Sequence, residues 1–188
     1  MKWANTVRIG EAFDVIIEED IPMSIIREIR ESDSENFLSL CRQLDHENKF
    51  MMLEPGERKT TIDKQKQRIF EVLSSDNGIV FGAEEAKLLA GYLSAIGGRF
   101  TRNRHAAYIV IGILERFTGK GLGTAFFGKL EDWAKSHAIH RLELSVMVHN
   151  QRGIGLYQKM GFAIEGVKRD SLLVDGSYVD EYYMSKLI

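Results

Sequence analysis

The sequence predicts a mixed α/β domain, one central sheet with helices on both faces. Strand-like runs in the middle of the chain follow one another directly and so pair locally. Further on, strand and helix patterns alternate, which places helices against a sheet. The chain has 188 residues and is 44% apolar, enough for one domain with a substantial core. A division into an N-terminal extension, residues 1–24, and a domain over residues 25–188 is expected, because periodicity is weak before Ile21-Pro22-Met23-Ser24.

Residues 25–30 alternate apolar and charged side chains, as a short half-buried strand does. Ser32 followed by Glu35 suggests a capping box ahead of a helix bearing Phe37, Leu40, Cys41 and Leu44. Pro55-Gly56 breaks an acidic connection over residues 45–59. A second helix is expected over 60–73, with Ile62, Ile69 and Leu73 on one face, and Asp76-Asn77-Gly78 then turns the chain. Strands are expected over 79–83 and 88–96. Residues 106–114 are nearly all apolar and rich in β-branched side chains, which predicts a strand covered on both faces. A helix over 121–137, a strand over 142–148, a helix over 153–160 and a strand pair around Val174-Asp175-Gly176-Ser177 complete the order.

Composition narrows the function. With 25 Lys+Arg against 27 Asp+Glu, a net charge of −2 argues against a nucleic-acid coat protein. One cysteine excludes an intrachain disulfide or a multi-cysteine metal centre, and Cys41 on its apolar stripe reads as core. The five histidines lack metal-ligand spacing, so no metal is expected. No apolar run reaches about 18 residues and no signal-peptide core is present, so no membrane association and a cytoplasmic location are expected.

The chemistry concentrates in Thr118-Gly119-Lys120-Gly121-Leu122-Gly123-Thr124, between the apolar strand and a helix whose Leu122, Phe126, Leu130 and Trp133 share a face. Unpaired amides at a helix start, with glycines that admit close approach, form an anion site suited to pyrophosphate. The spacing fits neither a Walker A loop nor a dinucleotide fingerprint, because Lys120 stands between glycines and Thr124 replaces the third glycine.

This loop, with Asn150, Leu156-Tyr157, Lys159 and Gly161-Phe162 in order behind it, resembles the core of the GNAT superfamily of acyl-CoA N-acetyltransferases. Two departures stand out: Thr118 occupies the position of an Arg or Gln, and Gly153 that of an Ala. The resemblance implies a mostly antiparallel sheet and acetyl-CoA as cosubstrate, used without a metal. It implies that Ile111, Gly112 and Ile113 hold the pantetheine arm by backbone pairing. Thr118, Gly119, Lys120, Gly121, Gly123 and Thr124 would grip the pyrophosphate, and Asn150, a strong helix cap, would contact the pantetheine or neighbouring backbone. A homodimer is an assembly the family often forms.

Acetyl transfer to an amine needs a proton acceptor, an oxyanion donor and an acid for the departing thiolate. The resemblance makes Tyr157 the acid, and a backbone N–H near Gly112 suits the oxyanion. Ser145 stands where amino-terminal acetyltransferases often have Glu, which leaves Glu143, on the same strand face, as candidate base. The expected function is acetyl transfer from acetyl-CoA by direct attack of a primary amine on a small molecule or peptide. Asp45, Glu47, Glu54, Glu57, Asp180 and Glu181 suggest an acidic acceptor mouth for a polyamine, an aminoglycoside, an amino acid or a protein amino group. A non-catalytic CoA-binding sensor is the alternative, and another phosphate-binding enzyme a third reading.

Overall fold

A computed structural model of the protein describes residues 25–188. The expected N-terminal extension, residues 1–24, lies outside the described residues. Seven strands form one sheet: β1 (Ile25–Glu28), β2 (Gly78–Glu85), β3 (Leu88–Gly97), β4 (Ala106–Ile113), β5 (Arg141–Met147), β6 (Ala163–Val174) and β7 (Ser177–Leu187). Their order is β1-β2-β3-β4-β5-β7-β6. Every neighbouring pair is antiparallel except β4 with β5. Four helices accompany them: α1 (Ser34–Glu47), α2 (Ile62–Leu73), α3 (Leu122–Ser136) and α4 (Gln151–Lys159).

The mixed sheet with helices on both faces agrees with the sequence, but several local expectations change. Ser32 does not cap α1. A short 3-10 turn, Glu31–Asp33, precedes the helix, and the Asp33 carboxylate accepts the Arg30 N–H at 2.7 Å. The Arg27 guanidinium donates to the same carboxylate at 2.8 and 2.9 Å and holds its pKa below the ordinary value. A charged acceptor with a cationic partner outcompetes a serine hydroxyl here.

Helix α2 begins two residues later than expected, capped by Thr61, whose hydroxyl accepts the Lys64 N–H. Its inward face is Gln65 and Ile69, with Val72 packed beside them, whereas Ile62 and Leu73 are exposed. Residues 65, 69 and 72 form a helical stripe as good as the expected one, and packing against the sheet selects it.

Strand β4 is not covered on both faces. Ala107 and Ile109 are buried, but Tyr108 is 41% and Val110 39% exposed on the opposite face. The reason lies in the two helical layers. On one face, α1 and α2 seal Ile29, Phe37, Leu40, Cys41, Leu44 and Ile69 against Val80 and Tyr92. On the other, Phe126, Phe127 and Leu130 of α3 and Ile154 of α4 pack on Leu142, Leu144 and Met184. The α1/α2 layer covers the β1–β3 side and reaches β4 only at Gly112, through Leu44, so Tyr108 and Val110 are left open on that face. Cys41 is 3% exposed, and burial pushes its thiol up to about 11, consistent with a core residue. No helix among the described residues is long and apolar enough to cross a membrane.

Leu44 joins α1 to β4. It is fully buried, and a Cβ built on Gly112 would lie 2.7 Å from its Cδ1, so helix and strand backbone pack in direct contact. Replacing Leu44 by Ala leaves a cavity at this contact, and urea unfolding is expected to register a loss of about 2–5 kcal/mol. A loss under about 1 kcal/mol contradicts the packing role.

Candidate active site

Strands β4 and β5 pair over only three register positions, Ala106 with Arg141, Ala107 with Leu142 and Tyr108 with Glu143, and then separate. Beyond that point each strand follows its other neighbour, β4 pairing with β3 as far as Ile113 and β5 with β7 as far as Met147. The Ser145 N–H, which continued pairing would have used, is accepted by the Tyr108 hydroxyl at 3.2 Å. The separation leaves a wedge with backbone edges on both sides.

Hydrogen-bond parity identifies those edges. The Leu114 N–H donates to the Ala90 carbonyl at 3.0 Å, and antiparallel alternation then turns the backbone groups of Gly112 and Val110 toward β3. Those of Ile109, Ile111 and Ile113 turn toward β5, as the His105 carbonyl does where it accepts the Arg141 N–H at 3.1 Å. Gly112 therefore differs from the expectation, since its amide faces Tyr92 rather than the wedge. Ile111 and Ile113 carry the free edge.

The wedge opens into a cavity of about 700 Å³ lined by Ile111, Ile113, Thr118, Gly119, Gly121, Gly123 and Thr124 on one side and by α4 on the other. Gly119 and Gly121 adopt φ of +77° and +86°, a left-handed backbone that disfavours L side chains. Gly121 is the N-cap of α3 and no side chain caps the first turn, so its leading amides remain available to a ligand. Gly123 allows α4 to approach, because a Cβ there would lie 2.7 Å from Leu156 Cδ2. Lys120 is not part of the lining; its ammonium sits over the Phe117 ring, 5.5 Å from the centroid.

Asn150 lines the cavity and caps α4, its Oδ1 accepting the Gly153 N–H at 2.9 Å. Tyr157 also lines the cavity, though only 8% exposed, and its ring packs edge-on against Phe127. Burial, with the nearby Tyr108 phenol adding to it, pushes the Tyr157 hydroxyl up to about 12. It holds its proton throughout the neutral range.

Glu143 lies elsewhere. It sits opposite Tyr108 at the closed end of the β4/β5 pair and accepts from Arg141 Nε at 2.8 Å, which argues against proton transfer in the wedge. The acidic mouth does not assemble as expected either. Asp45 is bound bidentately by Arg58 at 2.6 and 2.8 Å, and Glu47 accepts the Glu115 N–H at 3.2 Å. Glu57 accepts the Glu54 N–H at 2.9 Å, Asp180 that of Asp170 at 2.9 Å, and buried Glu181 holds Lys168 at 3.1 Å. Of the six, only Asp45 and Glu181 are neutralised by a cation among the described residues, and Glu47 lines the cavity itself.

Three contributors escaped the sequence reading. Tyr108 closes the base of the wedge. Phe50, in the loop after α1, meets His149 after β5 with ring centroids 5.4 Å apart. Phe50 itself lines the cavity, so this contact joins two loops bordering it. Arg152, two residues after the Asn150 cap, also lines the cavity. Its place on the first turn of α4 was the available signal. Among the described residues no group of three or more His, Cys, Asp or Glu could hold a metal ion.

The family model of the acetyltransferase (GNAT) family matches residues 38–162. An acetyltransferase of that family from Streptococcus pneumoniae superimposes with a TM-score of 0.85 at 30% identity, covering 87% of this chain and 99% of that one. An L-amino acid N-acetyltransferase of Escherichia coli (strain K12) is 31% identical over 103 residues, 53% of this chain and 62% of the relative. The match thus spans less than two thirds of that relative's length. A phosphinothricin acetyltransferase from Sinorhizobium meliloti in complex with AcCoA shares the fold, with a TM-score of 0.77 at 16% identity over 88% of this chain and 89% of that one.

Replacing Tyr108 by Phe removes the acceptor of the Ser145 N–H at a position water can reach. A stability loss of about 1 kcal/mol or less is expected, together with faster hydrogen exchange at the Ser145 amide. Unchanged exchange there contradicts the part assigned to Tyr108.

Proposed function

Because this chain belongs to the GNAT family of acetyltransferases, we propose that it transfers an acetyl group from acetyl-CoA to a primary amine of a small molecule or peptide. The observation carrying this reading is the wedge itself. A free β4 edge leads to a glycine loop with available amides, and a protonated phenol lines the same cavity. These parts fit the cosubstrate: Ile111 and Ile113 offer backbone partners to an amide-bearing arm, and Gly119 to Thr124 offer N–H groups to its pyrophosphate.

Acetyl-CoA supplies the thioester, whose carbonyl carbon gains a bond to the amine nitrogen as its bond to sulfur breaks. The chain does the rest. An Ile111 or Ile113 N–H, rather than that of Gly112, stabilises the oxyanion. Tyr157 donates its proton to the departing sulfur. Burial that raises the phenol's pKa equally disfavours a bare thiolate in the same cavity, which makes a donor there useful. The amine proton leaves through water, since Glu143 is held by Arg141 at the closed end of the strand pair.

An amino acid or peptide amino group fits better than a polyamine or aminoglycoside. Two of the carboxylates that a polycation would use, Asp45 and Glu181, are already paired with Arg58 and Lys168. The relative named an L-amino acid N-acetyltransferase points the same way.

CoA release with a panel of amino acids, peptides, polyamines and aminoglycosides tests the activity. Stabilisation by acetyl-CoA without release from any acceptor leaves only the non-catalytic binding module. With an active acceptor, Tyr157→Phe is expected to lower kcat roughly 10²- to 10⁴-fold. The hydroxyl, raised to about 12, produces no alkaline loss of wild-type activity below about pH 9. Unchanged turnover in the variant removes Tyr157 as the acid.

A further inference from the structure

The glycine loop turns no cationic or amide side chain of its own into the cavity. Thr118 cannot supply one, because its hydroxyl donates to the Glu115 carbonyl at 2.6 Å and is used within the turn. Lys120 is turned onto the Phe117 ring. Arg152 approaches from the facing helix: a Cβ built on Gly119 would lie 3.2 Å from the Arg152 Nη2. Both residues line the cavity, and Arg152 makes no hydrogen bond or ion pair with any other described residue.

From this juxtaposition we infer that Arg152 is the phosphate-binding cation of the site, provided from α4 and standing in for the side chain absent at Thr118. The inference rests on the acetyl-CoA reading above. A guanidinium against Gly119 can donate two parallel N–H bonds to a phosphate whose other oxygens meet the loop amides. Its planar fork is pre-organised for that geometry, so lysine replaces it only in part. The anion is then held between two elements, the start of α3 and the first turn of α4.

Isothermal titration with CoA and with acetyl-pantetheine, which lacks the phosphates, tests the assignment without reference to turnover. Arg152→Ala is expected to weaken CoA binding roughly tenfold to a hundredfold while leaving acetyl-pantetheine unchanged. Arg152→Lys should fall between the two. Thr118→Arg in the Arg152→Ala background should recover part of the lost affinity, because it restores a cation on the loop side. Arg152 is exposed, so the unliganded melting temperature is expected to stay the same.

A loss of less than about threefold for CoA, or an equal loss for acetyl-pantetheine, overturns the phosphate role. Failure of Thr118→Arg to recover any affinity overturns the claim that Arg152 stands in for that position. If the wild-type chain itself binds no CoA, the acetyl-CoA reading fails instead, and the two failures are distinct.

Discussion

The site depends on one constraint: β4 and β5 are parallel neighbours for three register pairs and no further. Each strand is bound on its far side to an antiparallel partner, β4 to β3 and β5 to β7, and each follows that partner's twist. Backbone groups past Tyr108 and Glu143 lose the ladder partners that a closed sheet would give them, and orphaned amides inside a protein are costly. The wedge turns that cost into a binding edge. Tyr108 relieves the Ser145 N–H where the strands part, while the backbone groups of Ile111 and Ile113 face the wedge. Because β4 runs on into the glycine loop and β5 into the Asn150 cap, the same divergence brings the starts of α3 and α4 to the two sides of one cavity.

Residues whose role depends on local geometry were legible in the sequence. Gly119 and Gly121 have the left-handed backbone expected of a loop between strand and helix, and Asn150 caps α4 through the Gly153 amide. Roles set by neighbours from distant sequence were not. The apolar run of β4 could not reveal that the α1/α2 layer meets it only at Gly112, which leaves Tyr108 and Val110 uncovered. Nor could spacing say which stripe of α2 faces inward, since Gln65 and Ile69 compete with Ile62 and Leu73 until the sheet is in place. Gly112 and its neighbours look alike in sequence, and only the Leu114-to-Ala90 hydrogen bond fixes which amides face the wedge.

Charge was the least readable property, for a physical reason. A carboxylate acts on a ligand only if nothing nearer neutralises it, and pairing is decided by tertiary contact. Asp45, with only 2% of its side chain exposed, is bound to Arg58, which is 13 residues away and fixes the end of the acidic connection against α1. Glu47 spends one oxygen on the Glu115 amide, tying α1 to the entrance of the glycine loop. Part of what read as an acidic recognition surface is thus a set of ties that brace the loops around the cavity. Phe50 is carried in one of those loops, against His149.

Helix α4 then does more than carry one reactive group. Its capped start presents Arg152 toward Gly119, its middle seats Leu156 on Gly123, and Tyr157 projects into the same cavity. Arg152 and Tyr157 are five residues apart, a rise of about 7.5 Å along the axis. Both side chains ride on one nine-residue helix with a capped start, so their separation is set by the helix itself. An anion held between Arg152 and the α3 start, as proposed above, would lie at a spacing from the phenol fixed by the helix. Gly123 permits this, because the two helix starts can close on each other only where a side chain is missing. In the proposed reading the phosphate contact and the acid therefore belong to the same helix, because Thr118 leaves the loop side without a cation and Arg152 lies about one and a half turns before Tyr157.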